Sequence, residues 1–184
     1  LFFLAIISSC AFIVGIGEAS NWPNVNNEYN YEYSLETIII DAGHGGKDPG
    51  AISIWNRRFY EKEVNLSVAL KLAKLIEEKT NYSVYLTRDT DRYISLKARA
   101  EIANQYDANS SLFISIHCNA SDSNNARGVE TYIFDLEATD KMAARVAARE
   151  NAGDTIDVLD FILNDLHHRG NRRYSWEAAW QIQS

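Results

Sequence analysis

The sequence predicts an α/β fold, with a mostly parallel sheet flanked by helices in a single layered domain. Short β-branched segments alternate with amphipathic helical segments between residues 37 and 117, and helical patterns dominate the C-terminal third. This alternation implies right-handed crossovers between parallel strands. A chain of 184 residues with 46% hydrophobic composition is long enough to bury a core. Ligands are then expected beyond the carboxyl ends of the strands.

The first 19 residues predict a secretory signal whose basic start is missing. The apolar run of residues 1–17 is short for a membrane span, and it leads into a small-residue pattern at 17–20 that suits signal peptidase. Two alternatives stay open: an anchor helix that is never cleaved, and a lipoprotein signal with lipid on Cys10. Each of them places the mature protein outside the cytoplasm, and signal cleavage leaves no stable membrane span. Residues 20–35, rich in Asn, Tyr and Glu without a regular period, predict a linker.

Within the domain, residues 37–41 form a continuous β-branched run that predicts a central strand. Residues 61–79 predict an amphipathic helix, and Ser95 is the expected N-cap of a second helix that turns Leu96, Ala100 and Ala103 towards the core. The stripe expected to face the sheet from the first helix comprises Val64, Val68, Leu72, Leu75 and Ile76. Further strands are predicted at 82–87, 112–117 and 129–134, and further helices at about 139–152, 157–168 and 175–184.

Composition excludes some functions. The formal net charge is −7, so no global basic field attracts nucleic acid or anionic lipid.

Cys10 and Cys118 are the two cysteines of the chain, too few for a disulfide framework. Cys118 alternates with His117 on the predicted third strand, so their side chains point to opposite faces. We therefore expect Cys118 to be a small buried side chain directed away from any site that uses His117.

Two histidines and a glutamate are the candidate metal ligands of the chain. His44 lies in a glycine-rich turn directly after the first strand, and His117 ends the third strand. The turn fits no phosphate loop, because Asp48 stands where Ser or Thr, or a third glycine, is required. Glu61 opens the first helix; Glu63 competes with it, but only one of the two can face the turn. Two imidazoles and one carboxylate are a ligand set found at catalytic zinc sites.

Six segments, in order, resemble the zinc-dependent N-acetylmuramoyl-L-alanine amidases of cell-wall hydrolysis. The likeness runs from about residue 36 to the end, and the ordered series is far more specific than any single motif. The segments are TIIIDAGHGGKDPGA at 37–51, YEKEVNL at 60–66, YLTRD at 85–89, SLKAR at 95–99, SIHCNA at 115–120 and GVE at 128–130.

The resemblance implies a zinc hydrolase that cuts the amide between the lactyl group of muramic acid and L-alanine in peptidoglycan. By matching positions, His44, Glu61 and His117 are the implied zinc ligands, and Glu130 matches an acid of the active site. Residues 138–170 resemble the helical insertion of the division-associated periplasmic enzymes, which covers the cleft until an activator protein withdraws it. The resemblance therefore implies a periplasmic protein of daughter-cell separation.

Two departures from the family pattern matter. Relatives continue into a last strand whose glutamate acts as general base, and the resemblance places this segment beyond residue 184, so we expect residues 36–184 to be a catalytic domain incomplete at its C-terminus and part of a longer gene product. Cys118 stands where relatives often have Ala. One alternative function is therefore a catalytically incomplete fragment that binds peptidoglycan or regulates its turnover. A zinc peptidase acting on proteins is less favoured, because the chain contains no H-E-x-x-H motif.

Overall fold

The computed structural model describes residues 2–8, 34–53, 59–107, 109–118, 128–133 and 168–184, with backbone alone for residues 2–8, 133 and 168–174. Five strands form one sheet in the order β3-β2-β4-β1-β5. Every neighbouring pair is parallel except β1 and β5, which are antiparallel. The predicted α/β class is therefore confirmed. The elements are β1 (Phe2–Ser8), β2 (Thr37–Ala42), α1 (Glu61–Lys79), β3 (Ser83–Leu86), α2 (Leu96–Ala103), β4 (Ser111–His117), β5 (Val129–Ile133) and α3 (His168–Gln183).

Strand β2 has both faces buried, as its continuous apolar run predicts. Ile38 and Ile40 point to one face, against Ala69 and Ala73 of α1, while Ile39 points to the other face and packs with Ala103 of α2. Helices α1 and α2 thus cover opposite faces of the sheet, and the domain has three layers. Because β3 and β4 lie on opposite sides of β2, the strand order reverses there, and a ligand is expected in the crevice beyond the carboxyl ends of β2 and β4.

Helix α1 begins and ends where its period predicts, and Val68, Leu72 and Ile76 of the expected stripe pack against the core, but the most deeply buried positions of the helix lie beside that stripe. The fully buried positions are Glu61, Asn65, Ala69 and Ala73, one turn apart, whereas Val64 and Leu75 are exposed. The expectation for Val64 and Leu75 is wrong for a physical reason. Two alanines let the helix approach the sheet closely, and the two polar residues at its N-terminal end are buried by contacts at the strand ends rather than by hydrophobicity.

Strand β1 is an element that the sequence analysis does not predict. It lies between β4 and β5, parallel to the first and antiparallel to the second. Its residues belong to the apolar segment for which a secretory signal is predicted, and cleavage near residue 19 would remove it. The segment can therefore serve as a cleaved signal peptide or as strand β1, but not as both. The boundaries of the signal, the linker and the domain stay predictions.

The C-terminal helix begins earlier than expected. Helix α3 starts at His168, where the sequence analysis places a helix end, and it packs on β5 and β1. The predicted helices at 139–152 and 157–168, and nearly all of the proposed insertion at 138–170, lie outside the described residues. Among the residues described, none of the helices combines the length and the apolar character needed to cross a bilayer.

Candidate metal centre

The turn after β2 places His44 by an unusual backbone conformation. His44 has φ +61°, in the left-handed region, and the glycines that follow it also have positive φ. Gly45 and Asp48 then exchange two backbone hydrogen bonds, of 2.9 and 3.1 Å, which close a tight turn. The imidazole consequently projects into the crevice at the carboxyl ends of β2 and β4.

Three side chains from separate elements meet in this crevice. Their potential ligand atoms, from His44, Glu61 and His117, lie within 4.8 Å of one another. Oε1 of Glu61 is 3.2 Å from Nε2 of His44 and 3.2 Å from Nδ1 of His117. The two imidazole rings meet edge to face, with centroids 4.8 Å apart. The structure thus brings together all three residues that the sequence analysis nominates as metal ligands.

The carboxylate of Glu61 is held by hydrogen bonds to both of its oxygens. Oε2 accepts the backbone N–H of Ala51 at 2.8 Å, and Oε1 accepts the backbone N–H of Cys118 at 2.8 Å. The amide of Asn65, one turn along α1, donates to Oε1 at 3.3 Å. Burial by itself raises the pKa of Glu61, but the neighbouring rings of His117 and His44 and the backbone N–H of Ala51 lower that pKa well below its usual range. Glu61 is therefore an anion with a fixed orientation.

Two glycines let the backbone approach the ligand side chains closely. A Cβ on Gly43 would collide with the ring of His117. A Cβ on Gly50, which has φ +64°, would lie 2.5 Å from Cδ2 of His44 and 2.8 Å from Oε2 of Glu61. Both positions require glycine, so the glycine-rich composition of the turn serves the packing of the three side chains.

Beneath the turn, two buried arginines hold its backbone carbonyl groups; we call Asp41, Arg88 and Arg99 the charged frame. Arg88 donates to the carbonyls of Ala42 (2.8 Å) and Gly43 (2.9 Å). Arg99 donates to the carbonyls of Ala42 at 2.8 Å and His44 at 2.7 Å, and it pairs with the carboxylate of Asp41 at 2.5 Å. The frame therefore fixes the peptide groups that carry His44.

Asp41 balances part of the buried positive charge. Its carboxylate also accepts hydrogen bonds from Thr87 at 2.6 Å and Ser115 at 2.8 Å. Burial raises the pKa of Asp41, but the charge of Arg99 and the hydrogen bonds from Thr87 and Arg99 outweigh burial, and the net pKa is lowered. Burial likewise lowers the pKa of Arg88, with a further contribution from Arg99.

On its outer side, the turn is held by Lys62 and Asp91. Nζ of Lys62 donates to the carbonyl of Gly46 at 2.9 Å and pairs with Asp91 at 2.6 Å, and Asp91 accepts the N–H of Gly46 at 2.7 Å. The turn is consequently held from α1 and from the loop after β3 as well as from the frame.

The other nominated residues lie in different places. Glu63 is exposed on α1, so Glu61 alone of this pair faces the turn. The thiol of Cys118 lies 3.3 Å from the amide oxygen of Asn65 on α1, and the residue is half-buried, so the expectation of a buried side chain in apolar surroundings is wrong. Glu130 is not part of the cluster; its carboxylate accepts a hydrogen bond from the hydroxyl of Tyr132 at 2.9 Å.

Glu130 and His117 nevertheless occupy the same row of paired positions across the sheet. The backbone of Ile7 in β1 pairs with His117 of β4 and with Glu130 of β5, so these three positions form one row. Paired positions share a face of a sheet, and two strand spacings separate β4 from β5 by about 10 Å. Glu130 is therefore on the face of His117, two strands away.

Four residues that support the site are given no role in it by the sequence: Asp48, Asn65, Arg88 and Arg99. Arg88 and Arg99 lie inside quoted motifs, but charged side chains are rarely buried, and composition gives no reason to bury them. Asn65 has a usable signal, since it stands one turn after Glu61 on the same face of α1. Asp48 is four residues from His44, and a tight turn between them brings their side chains together.

The chemistry of this donor set fits zinc. Two imidazole nitrogens and a carboxylate oxygen from three elements form the ligand set of many catalytic zinc sites, which keep a further position for water or substrate. Glu61 is anionic, and both histidines direct a ring nitrogen towards it.

The known proteins that are similar to this chain belong to one family. The family model Amidase_3, described as N-acetylmuramoyl-L-alanine amidase, matches residues 38–184. A probable N-acetylmuramoyl-L-alanine amidase AmiB of Haemophilus influenzae is 46% identical over 148 residues, which are 80% of this chain and 33% of that protein. The N-acetylmuramoyl-L-alanine amidase AmiC of Escherichia coli is 38% identical over 120 residues, 65% of this chain and 28% of that protein.

Among solved structures, the N-acetylmuramoyl-L-alanine amidase of Clostridium difficile 630 is 41% identical, with a TM-score of 0.50 over 58% of this chain and 56% of that one. The chain spans less than half the length of these curated relatives. The family model covers most of the chain, and the resemblance seen in the six motifs is confirmed: the chain belongs to the N-acetylmuramoyl-L-alanine amidase family Amidase_3.

Proposed function

We propose that the protein is a zinc-dependent N-acetylmuramoyl-L-alanine amidase, which hydrolyses the amide between N-acetylmuramic acid and L-alanine in peptidoglycan. The observation that carries this proposal is the convergence of His44, Glu61 and His117 within 4.8 Å at the carboxyl ends of β2 and β4. Family membership supplies the reaction and the substrate class. The site supplies a ligand set suited to the metal that such a hydrolysis uses.

The residues of the chain divide the work as follows. His44, Glu61 and His117 would hold the zinc ion, and Ala51, Cys118 and Asn65 keep the carboxylate of Glu61 in place through hydrogen bonds. The chemistry that zinc supplies when bound is polarisation of the scissile carbonyl and acidification of a water molecule. The charged frame holds the turn in place, because each of its arginines donates to two or more carbonyl groups.

Glu130 is proposed as an acid of the active site. Its support is its place in the GVE motif, together with the row of β4, β1 and β5 that puts it on the face of His117 as long as β1 is retained in the sheet. The backbone positions of Glu130 and His117 are about 10 Å apart in that row, so Glu130 is proposed to act on the substrate rather than to hold the metal. We expect Glu130→Gln to lower kcat without lowering zinc content. Loss of zinc with kcat per bound zinc unchanged would instead make it a metal ligand.

The test of the function uses purified peptidoglycan and the complete gene product. The wild-type protein should bind about one zinc ion and release stem peptides with a free L-alanine amino terminus, whereas His44→Ala and His117→Ala should do neither while remaining folded. If these variants digest the wall like the parent, the site is wrong. Binding to peptidoglycan without release of peptides by the wild type would instead support the catalytically incomplete alternative, which the family match makes the weaker of the two.

Export to the periplasm is proposed from the predicted signal at residues 1–19. Because strand β1 uses the same residues, the amino terminus of the mature protein decides between them. A new terminus near residue 20 in a periplasmic extract supports export with cleavage. A mature protein that keeps Phe2–Ser8 contradicts cleavage and leaves β1 in the sheet.

Regulation during cell division is proposed from the resemblance of residues 138–170 to an inhibitory insertion. Deleting this segment from the complete enzyme should raise basal cleavage of peptidoglycan and remove any dependence on an activator protein. Unchanged basal cleavage would contradict it.

A further inference from the structure

Asp48 makes a contact that neither family membership nor the proposed function explains. Its Oδ2 lies 2.8 Å from Nδ1 of His44, and its Oδ1 accepts the backbone N–H of Gly50 at 3.1 Å. The paired backbone of Gly45 and Asp48 sets the carboxylate beside the ring. Asp48 is thus oriented by its own turn and touches His44 on the side away from Glu61.

The ring of His44 is flanked by two carboxylates that compete for its proton. Asp48 lies 2.8 Å from Nδ1, and Glu61 lies 3.2 Å from Nε2. A proton on Nδ1 leaves the lone pair of Nε2 directed at the cluster, where a cation can use it. A proton on Nε2 alone would instead bond to Glu61 and block the nitrogen that a metal needs.

The remainder of the ring has little freedom to turn. Gly50 packs against Cδ2 so closely that a Cβ there would lie 2.5 Å away, and the ring of His117 meets it edge to face. Arg99 holds the backbone carbonyl of His44 at 2.7 Å. The choice of tautomer therefore depends on Asp48, since rotation of the ring is opposed on several sides.

We propose that Asp48 is a positioning residue that keeps the proton of His44 on Nδ1 and so reserves Nε2 for the metal. The proposal rests on the proposed metal site. It also makes the two histidines unequal: His44 binds through Nε2, whereas His117, whose Nδ1 faces Glu61 at 3.2 Å, binds through Nδ1. Carboxylate partners of this kind typically change metal affinity by about 10- to 100-fold.

The first test follows the ring nitrogens by ¹⁵N NMR in the metal-free, full-length chain at one neutral pH. In the wild type, Nδ1 of His44 should carry a proton. In Asp48→Ala, the proton should move to Nε2, where Glu61 accepts it, while the resonances of His117 stay unchanged. A protonated Nδ1 of His44 in Asp48→Ala overturns the proposal, whatever the metal affinity of the protein.

The second test measures the dissociation constant of zinc by competition with a chromophoric chelator. Asp48→Ala should bind zinc about 10- to 100-fold more weakly than the wild type. Asp48→Asn keeps the size of the side chain and a neutral acceptor, so it should fold where Asp48→Ala fails and lose less affinity. The matched control is Asp89→Ala, which removes an exposed carboxylate from the loop after β3.

The outcomes separate this proposal from the proposed function. If the wild type binds zinc and both Asp48 variants bind it within twofold of the wild type, Asp48 has no positioning role and the metal site stands. If the wild type binds no zinc, the proposed function fails, and the NMR result still decides which nitrogen of His44 holds the proton.

Discussion

The turn at residues 43–50 lies between two polar regions that are built on opposite principles. The charged frame of Asp41, Arg88 and Arg99 pairs a carboxylate with a guanidinium and uses the remaining donors on backbone carbonyls. The metal cluster directs two imidazoles and an anion at a common point. The frame pairs one of its two cations with a carboxylate, satisfies the other with backbone carbonyls and serves stability, whereas the cluster gathers electron-pair donors, an arrangement suited to binding a cation.

The largest effect on stability is expected in the frame. Arg99→Ala leaves the carboxylate of Asp41 buried without its cation, and breaking a buried pair in this way costs about 3–5 kcal/mol of unfolding free energy. Urea denaturation measures the loss. Lys97→Ala, on the exposed side of the same helix, is the matched control and should leave the midpoint nearly unchanged. Equal midpoints for the two variants would mean that the frame does not support the fold.

The largest effect on metal binding is expected in the cluster. Glu61→Gln removes the anionic ligand but keeps its size. We expect zinc affinity to fall by more than about 100-fold, which is more than the loss caused by removing a residue that only supports a ligand. Glu63→Gln changes the exposed neighbour on the same helix and should bind zinc like the wild type. Similar affinities for the two variants would contradict the assignment of Glu61.

Acid should distinguish the two regions further. The pKa of Asp41 is lowered in the folded protein, since Arg99 and the hydrogen bonds outweigh burial, so the unfolded state takes up this proton first as the pH falls. The stabilisation is complete above the ordinary aspartate pKa of about 3.9 and is lost as the pH falls through the lowered value. Urea midpoints between pH 6 and pH 3 should therefore fall less steeply in Arg99→Ala. An equally steep fall of the urea midpoint in Arg99→Ala and in the wild type would exclude Asp41 as the source of the acid sensitivity.

A smaller effect is expected from the glycine under His117. Gly43→Ala forces the ring of His117 to move, so zinc affinity should fall, although the backbone of Gly43 accepts an L residue. Gly46→Ala is the contrast: its Cβ would meet the backbone N of Tyr93 at 2.6 Å and touch neither histidine, so it should reduce stability more than zinc affinity. A larger loss of zinc affinity in Gly46→Ala than in Gly43→Ala would show that the turn moves as one unit.

The smallest effect is expected at the outer side of the turn. Lys62→Ala removes the hydrogen bond to Gly46 and the pair with Asp91, whose side chain is 53% exposed. The loss of unfolding free energy should be about 1 kcal/mol, and its ion-pair part should shrink at high salt. A loss as large as that of Arg99→Ala would remove the distinction between the inner and outer supports.

Sequence patterns predict the parts of this fold that follow from periodicity. The runs around Ile39 and Phe113 locate β2 and β4 because strands buried on both faces read as continuous apolar segments. The two histidines and Glu61 are found because they follow strand ends or open a helix. The buried stripe of α1 is misplaced at Val64 and Leu75, since contacts at the turn decide the rotation of the helix.

The rest depends on tertiary contacts that no local pattern encodes. Arg88 is fully buried because four carbonyl groups from the turn, α1 and its own loop accept its hydrogen bonds. Strand β1 has the composition of a signal sequence, and composition alone does not distinguish an apolar strand from an exported leader. The pairing of Asp48 with His44 follows from a turn geometry that becomes visible once His44 is known to adopt positive φ.

The most direct test of the metal centre is the zinc content of the full-length chain, measured by mass spectrometry after equilibration with a chelator-buffered zinc solution. One zinc ion per chain in the wild type and in Glu63→Gln, with none in His44→Ala, Glu61→Gln or His117→Ala, is the result that the cluster predicts. Zinc retained in all three of these variants while they remain folded, or absent from the wild type, would contradict it.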